Sequence, residues 1–309
     1  MSKIHSINNV LHMIDIATYL TKSERTVQRV CNRLDDYLGA PNEEHIHDIR
    51  TAIRRLQASY QTLPTAARNR DKMKEFVSKS KDLFSVNSKI RDCDIISEIV
   101  SKCISVERFP KGVHRSRSQP SQSVVRLLKS VNVLRNKKLN EAKTIALELR
   151  KLPIPSFDDY KTDISEKKIK NRFDKVITKI ANRIEKNYPT VISSPERIRE
   201  LHEMRKDCKK LRYLLELLPI EENDKDTDKD KVLEMIGELG EIQDMLGTIH
   251  DYDTCITYIK NHKSGRELYS LIELLYNDRQ KKYDRFVKCY EADLSNSDCK
   301  LFLNIMNIS

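Results

Sequence analysis

The chain has 309 residues, 33% of them charged, with six Gly, no Trp and a formal net charge of +11. This length suits one large domain or two small ones, and the composition favours helices over sheets. The positive charge predicts a polyanionic partner: nucleic acid, inorganic polyphosphate or an anionic membrane. No apolar run approaches the roughly 20 residues that cross a bilayer, so we expect no transmembrane helix. Of these partners we expect a polyphosphate or nucleic acid rather than a membrane.

The cysteines predict a reducing environment. All seven are scattered, their number is odd, and none belongs to a C-x-x-C pair, which argues against a disulfide framework or a zinc finger. Residues 1–10 carry Lys3 as their one cation and contain no apolar core, so we expect no signal peptide. Together these features predict a cytoplasmic protein.

The first part of the chain is predicted to form an arm followed by four helices. Residues 1–20 are interpreted as an N-terminal arm or extra helix. Thr21 and Glu24 form a capping-box pattern, which predicts a helix start. The predicted helices span residues 21–38, 43–63, 65–106 with a break near 85–88, and 123–151, and residues 106–122 are predicted to form a loop.

The second part is predicted to contain four more helices. Ser194 suits an N-cap and Pro195 suits the first helical position, which predicts a helix start there. The predicted helices span residues 164–187, 195–218, 231–261 and 266–290, with an acidic loop at 221–230 and a C-terminal tail at 291–309. The sequence therefore predicts an all-α protein.

Two of these helices repeat one pattern, a His followed by cations at +3, +7 and +8. At about 100° per residue, the His and the cations share one side of each helix and apolar residues take the other. A solvated surface does not need His at one fixed place, so the repetition indicates a binding function. The candidate polyanion-binding residues are His47, Arg50, Arg54 and Arg55 in the first helix and His202, Arg205, Lys206, Lys209, Lys210 and Arg212 in the second.

A second repeat follows each of these helices. Asp92 lies 45 residues after His47, and Asp251 lies 49 residues after His202. A composite pattern at nearly constant spacing predicts a duplicated unit. The candidate supporting residues are Arg91, Asp92 and Asp94 in the first half and Asp251 and Asp253 in the second. The carboxylates are candidate counter-charges for the cations, although paired carboxylates also suggest a Mg²⁺ site or acid–base catalysis.

With these motifs the chain resembles the CHAD family, the conserved histidine α-helical domain. The resemblance rests on two H-x-x-R-x-x-x-[RK]-[RK]-L helices and on segments similar to R-D-x-D and L-G-x-x-x-D. It implies one CHAD-type domain over residues 21–290, with related helical-bundle halves at about 21–152 and 160–290 around a central basic channel. It also implies a stand-alone module that binds inorganic polyphosphate, has neither catalytic residues nor a cofactor or metal, and associates with polyphosphate granules.

Two other functions stay open at this point. A single-stranded nucleic-acid-binding module usually stacks bases on aromatic rings, and aromatic residues make up only 6% of this chain. Tyr213 does fall on the basic face of its helix, which keeps this alternative open. A metal-dependent enzyme acting on polyphosphate would use the D-x-D pairs to hold the ion.

Overall fold

The computed structural model describes residues 16–105, 121–157, 165–218, 227–263 and 265–291. These residues form helices and no β-strand, which confirms the all-α prediction. The helices are α1 (Ile16–Gly39), α2 (Glu43–Thr62), α3 (Thr65–Arg68), α4 (Asp71–Ser105), α5 (Gln122–Lys151), α6 (Glu166–Ser193), α7 (Ile198–Leu215), α8 (Thr227–Asn261) and α9 (Tyr269–Glu291), with a 3-10 turn at Gly265–Leu268. Residues 106–120 of the loop predicted at 106–122, most of the N-terminal arm, residues 221–226 of the predicted acidic loop and the tail from 292 lie outside the described residues. Residues 227–230 of the predicted acidic loop are helical, because α8 begins at Thr227.

The helices pack mainly with their neighbours in the chain. In the first part α1 packs on α2 and α4 on α5, and in the second part α6 packs on α7 and α8 on α9. Between the two parts, α2 contacts α7 and α4 contacts α8. The helices that carry the repeated motifs therefore meet at the centre of the molecule, while the duplication itself stays a prediction.

The apolar faces of α2 and α7 lie in the larger hydrophobic core. Ile49 and Ile53 of α2 are fully buried, as are Met204 and Cys208 of α7. Burial of such side chains contributes about 1.5–3 kcal/mol each, so it fixes the rotation of both helices about their axes. The predicted apolar faces are confirmed, and the opposite faces of α2 and α7 are left for the cations.

The helix boundaries differ from prediction at two places in the first part. Helix α1 begins at Ile16 rather than at residue 21, because Tyr19 and Leu20 are buried in the core. The break predicted near 85–88 is absent from α4. The Ser88 hydroxyl donates to the Phe84 carbonyl at 2.8 Å, so the polar group is satisfied by its own helix and does not interrupt it.

The second part shows similar boundary differences. Helix α6 continues through Pro189 to Ser193, where we expected an end near residue 187. The Tyr283 hydroxyl on α9 donates to the carbonyl oxygens of Val191 and Ile192 at 2.9 and 2.6 Å and stabilises this last turn. The next helix begins at Ile198 rather than at Pro195, with the N-cap at Arg197.

The second carboxylate of each D-x-D pair ties neighbouring helices together. Asp94 on α4 accepts from Arg135 on α5 at 2.6 Å, and Asp253 on α8 accepts from Arg279 on α9 at 2.7 Å. The side chains of Asp253 and Arg279 are only 6% and 5% exposed. Because removing one partner of such a pair leaves a buried charge, each partner is needed for stability.

We expect Arg279→Met to lower the free energy of unfolding by about 3–5 kcal/mol, because Asp253 would then be buried without its cation. The measurement is urea denaturation followed by circular dichroism. Lys281→Met makes the same substitution two residues away on α9, where the side chain is 73% exposed, and it should change the free energy by less than about 0.5 kcal/mol. Equal stability of both variants would contradict the structural role of this pair.

Candidate functional site

A cavity of about 810 Å³ lies where α2, α4, α7 and α8 meet. Its walls carry the basic faces of the two motif helices and the first carboxylate of each D-x-D pair. The predicted residues that line it are His47, Arg50, Arg54, Arg91, Asp92, His202, Arg205, Lys206, Lys209, Lys210 and Asp251. Side chains as far apart in the chain as His47 and Asp251, which are separated by 204 residues, thus converge on one space.

The α2 wall presents two arginines over an aromatic ring. The guanidinium carbon atoms of Arg50 and Arg54 lie 5.6 and 5.0 Å from the centroid of the Phe84 ring on α4. Arg50 also donates to the carbonyl oxygen of Asn87 at 3.1 Å. Burial, followed by the nearby Arg54, lowers the pKa of Arg50 to about 10. The two cations are therefore ordered and partly desolvated, but close to each other.

The α7 wall presents Arg205 and Lys209. A Cβ atom added to Gly247 on α8 would lie 3.5 Å from Nε of Arg205, an ordinary van der Waals distance, so the Arg205 side chain packs against α8 at this glycine. Nε of Arg205 is buried and has no hydrogen-bond partner among the described residues. Burial, followed by the charges of Arg54 and Arg205, lowers the pKa of Lys209 to about 6. Both side chains are donors in need of an acceptor.

The two motif histidines differ in their surroundings. Burial lowers the pKa of His47, and Asp48 opposes that change. Burial and then Lys206 lower the pKa of His202, whose Nδ1 atom lies 3.2 Å from Nδ1 of His250 on α8. Burial and Arg205 lower the pKa of His250 to about 3. Without a ligand, the cavity thus disfavours further positive charge on its imidazoles.

Two carboxylates lie inside this basic cavity. Burial raises the pKa of Asp92, although Arg50 and Arg205 lower it. Burial raises the pKa of Asp251 to about 6, and the nearby Asp92 adds to that rise. Desolvation therefore outweighs the attraction of the surrounding cations, and both carboxylates are easier to protonate than exposed ones.

Four of the predicted residues are not brought to the cavity wall. Asp94 and Asp253 face α5 and α9, because residues two apart on a helix point about 200° apart. Arg55 donates to Glu216 at 2.9 Å, and Arg212 lies 3.6 Å from the same carboxylate. The guanidinium groups of Arg55 and Arg212 also lie over the Tyr213 ring, at 5.6 and 5.0 Å. This cluster joins α2 to α7 at one end of the cavity.

The cavity is also lined by residues that are not among the predicted binding or supporting residues. They are Gln57, Ala58, Gln61, Phe84, Ser88, Ile95, Tyr213, Leu214, Gln243, Asp244, Gly247, Thr248, His250 and Thr254. His250 and Gly247 belong to the second repeat, so that repeat contained a signal for both. Phe84 had no such signal, because α4 packs on several helices and its sequence has no single apolar face. Hydroxyls and amides among these residues add hydrogen-bonding capacity to the cations.

Metal ligation finds no support in the geometry of the described residues. No group of three or more His, Cys, Asp or Glu side chains among them is placed to hold an ion. Each D-x-D pair divides its two carboxylates between the cavity and a neighbouring helix, so neither pair can grip one ion by itself. All six cysteines of the described part are free thiols.

Comparison with known proteins assigns the fold. The family model described as CHAD domain matches residues 24–260. The chain belongs to the CHAD family. The crystal structure of the CHAD domain from the plant Ricinus communis is similar to it, with a TM-score of 0.54 and 11% sequence identity, over 95% of this chain and 92% of that one. None of the curated proteins compared with the chain matches it.

The family assignment confirms the resemblance inferred from the repeated motifs. At 11% identity, the likeness to the plant domain shows a shared fold. No helix among the described residues is both long and apolar enough to span a membrane. The chemistry of the cavity is therefore inferred from the residues of this chain and not from the plant domain.

The lowered pKa of Lys209 allows the repulsion between the cavity cations to be tested. Its pKa is about 6 in the folded state and near 10.5 in an unfolded chain, so the unfolded state binds more protons between these values. The lysine therefore destabilises the folded protein fully below about pH 6, and this effect fades as the pH rises toward 10.5. Lys209→Met should raise the free energy of unfolding at pH 7 by at least about 1 kcal/mol, and the gain should shrink at pH 9–10.

The measurement is urea denaturation of wild type and variant at pH 7 and pH 9.5. Lys210→Met is the matched control, since Lys210 lies 3.8 Å from Asp207 and its side chain is 48% exposed. This control should not gain stability. If Lys209→Met is no more stable than wild type at either pH, the amine is not under electrostatic strain.

Proposed function

We propose that this CHAD protein binds inorganic polyphosphate in the cavity between α2, α4, α7 and α8 and does not chemically change it. The observation that carries the proposal is the charge of the cavity lining. Seven Lys and Arg residues line it against three Asp residues, and His47, His202 and His250 lie among them. Its place of action is the cytoplasm, at polyphosphate granules. The cavity then serves as the basic channel that the resemblance implies.

A linear polyphosphate suits this lining for physical reasons. It has a negative charge on every phosphate and no bases or side chains to recognise, so charge and hydrogen bonds provide all of the recognition. Arginine donates to two oxygens through a planar fork, whereas lysine acts as a point charge. Arg50 and Arg54 are one turn apart on α2, as are Arg205 and Lys209 on α7, so successive phosphates meet successive cations. Bound anions would also relieve the repulsion between the walls.

The aromatic rings favour polyphosphate over single-stranded nucleic acid. Stacking of bases requires rings whose faces are open. The Phe84 ring lies beneath the guanidinium groups of Arg50 and Arg54. Tyr213 is 4% exposed and lies beneath Arg55 and Arg212. On both rings, guanidinium groups already occupy a face that a stacked base would use.

The carboxylates favour binding over metal-dependent catalysis. Asp94 and Asp253 are engaged with Arg135 and Arg279, which leaves one carboxylate of each pair at the cavity. Asp92 and Asp251 lie near Arg50 and Arg205, whose charges influence their pKa values. We interpret them as counter-charges for the cations. Release of phosphate from polyphosphate when Mg²⁺ is added would overturn this interpretation.

Removing the cations from either wall should weaken binding of long-chain polyphosphate. Each lost charge-assisted contact is worth about 1.5–3 kcal/mol, so Arg50→Ala with Arg54→Ala should lower the affinity at least about 100-fold, as should Arg205→Ala with Lys209→Ala. Long chains that touch both walls gain from an intramolecular second contact, so short chains should lose less. Titration calorimetry with a long and a short polyphosphate measures the affinity of each variant for both chain lengths.

The matched control is Lys175→Ala with Lys179→Ala, which removes the same charge from the exposed face of α6. It should lower the affinity only slightly. A competition titration of long-chain polyphosphate against single-stranded RNA at physiological salt then decides between the two polyanions. If both cavity variants are folded and bind like wild type, the cavity is not the binding site. Preferential binding of RNA would favour the nucleic-acid alternative.

Affinity for polyphosphate should increase as the pH falls from 8 to 6. Burial and the neighbouring cations lower the pKa values of His202 and Lys209, and a bound phosphate raises them again, so the complex takes up protons. The gain should level off below about pH 6, where free Lys209 is already protonated. Calorimetry in buffers of different ionisation enthalpy counts the protons. A flat pH profile with no proton uptake would rule out this linkage.

A further inference from the structure

Arg50 and Arg54 share one aromatic ring as their support. Neither forms an ion pair with a carboxylate within the residues that the structure describes. Their guanidinium groups lie over the Phe84 ring instead, at 5.6 and 5.0 Å from its centroid. Arg50 also donates to the Asn87 carbonyl at 3.1 Å, and Arg54 forms a side-chain hydrogen bond with Tyr213. Phe84 itself is half-buried and lines the cavity.

Arg55 combines an aromatic contact, to the Tyr213 ring at 5.6 Å, with a carboxylate partner. It lies next to Arg54 in the chain, and its Nε donates to Glu216 at 2.9 Å. A carboxylate cancels the charge of the arginine and occupies its donors, so a phosphate would have to displace it. An aromatic ring attracts the cation through its quadrupole and leaves the charge and the N–H edges free. A ring is therefore the better support for an arginine that must bind an anion.

The ring supports only one wall of the cavity. Asp92 and Asp251 occupy the same place in the repeat, and counting back eight residues from each gives Phe84 and Gln243. Gln243 also lines the cavity, but its Oε1 atom is buried without a hydrogen-bond partner among the described residues. No ring contact to Arg205 or Lys209 occurs in that part of the chain. The α2 wall is thus preorganised in a way that the α7 wall is not.

We propose that Phe84 is a positioning residue for anion binding, which holds Arg50 and Arg54 in a fixed orientation while leaving their charges free for phosphate. The inference rests on the proposed function, because polyphosphate is the anion. Preorganisation increases affinity because ordered side chains lose less conformational freedom on binding. Phe84 has no charge, so its contribution is independent of the number of counterions released.

Phe84→Leu should lower the affinity for long-chain polyphosphate about tenfold, because two long side chains would have to be ordered on binding. The slope of log affinity against log salt should stay as in wild type. Arg54→Ala should lower both the affinity and, by about one, the slope. Phe84→Tyr keeps an aromatic ring and should bind within about twofold of wild type. Titrations at four salt concentrations measure all three variants.

The control for lost packing is Phe76→Leu, the same substitution on α4 at a side chain that is 1% exposed in the core and does not line the cavity. It should lower the melting temperature without lowering the affinity. Wild-type affinity in Phe84→Leu would overturn the proposal, and so would a loss of affinity that Phe84→Tyr shares or a reduced salt slope.

A second measurement needs no polyphosphate. The Nε–Hε signals of Arg50 and Arg54 in the free protein should be displaced by the ring current of Phe84, and Phe84→Leu should remove that displacement in a nuclear magnetic resonance spectrum. Unchanged signals would overturn the positioning role. If wild type fails to bind polyphosphate while the signals respond as expected, the proposed function is wrong and the support of the arginines by the ring still holds.

Discussion

The mutual repulsion of cations in a partly buried space is the constraint on which the centre of this molecule depends. Burial is the largest cause of the lowered pKa values of Arg50, Arg205 and Lys209, and neighbouring cations lower those of Arg50 and Lys209 further. The two walls cannot move apart to relieve this repulsion, since the backs of α2 and α7 are buried in one hydrophobic core. Hydrophobic packing therefore holds together a charge distribution that is unfavourable by itself and that a bound anion would make favourable.

The carboxylates of the central helices are distributed so that they stabilise the frame without neutralising the cavity. Glu216 contacts Arg55 and Arg212 and thereby joins α2 to α7 at one end of the cavity. Farther out, Asp94 and Asp253 tie the cavity helices to α5 and α9. Among the cavity cations, Arg50 and Arg54 are held by a backbone oxygen and an aromatic ring. Others pair with carboxylates on the cavity margin: Arg91 with Glu43, Lys206 with Glu203 and Lys210 with Asp207. Charge neutralisation thus strengthens the frame, and uncompensated charge is concentrated where a ligand is expected to bind.

The sequence predicted the helical period of α2 and α7 well, because one face of each helix is apolar and the other is basic. It predicted α4 and α8 less well, since these helices contact neighbours on several sides and show no single face. The orientation of Arg55 depends on Glu216, which lies at the C-terminal end of α7. The motif around His47 does not indicate this partner, because the two residues are far apart in the chain. Phe84 could not be selected from the sequence, because α4 has no single apolar face against which an inward position could be recognised. His250 and Gly247 could have been selected, because both belong to the second repeat.

The contact between His202 and His250 gives the α7 wall a property that the α2 wall lacks. Two Nδ1 atoms at 3.2 Å share one hydrogen, because one ring must donate while the other accepts. A second proton in that gap would place two donors against each other and break the contact. A phosphate oxygen that accepts a hydrogen bond from one of these histidines would separate the two Nδ1 atoms. Each ring could then carry its own Nδ1 hydrogen. On the α2 wall, His47 lies beside Arg91, which pairs with Glu43. Within the described residues, no second imidazole contacts His47. The proposed anion binding would therefore be coupled to the proton state of a histidine pair on one wall and of a single histidine on the other.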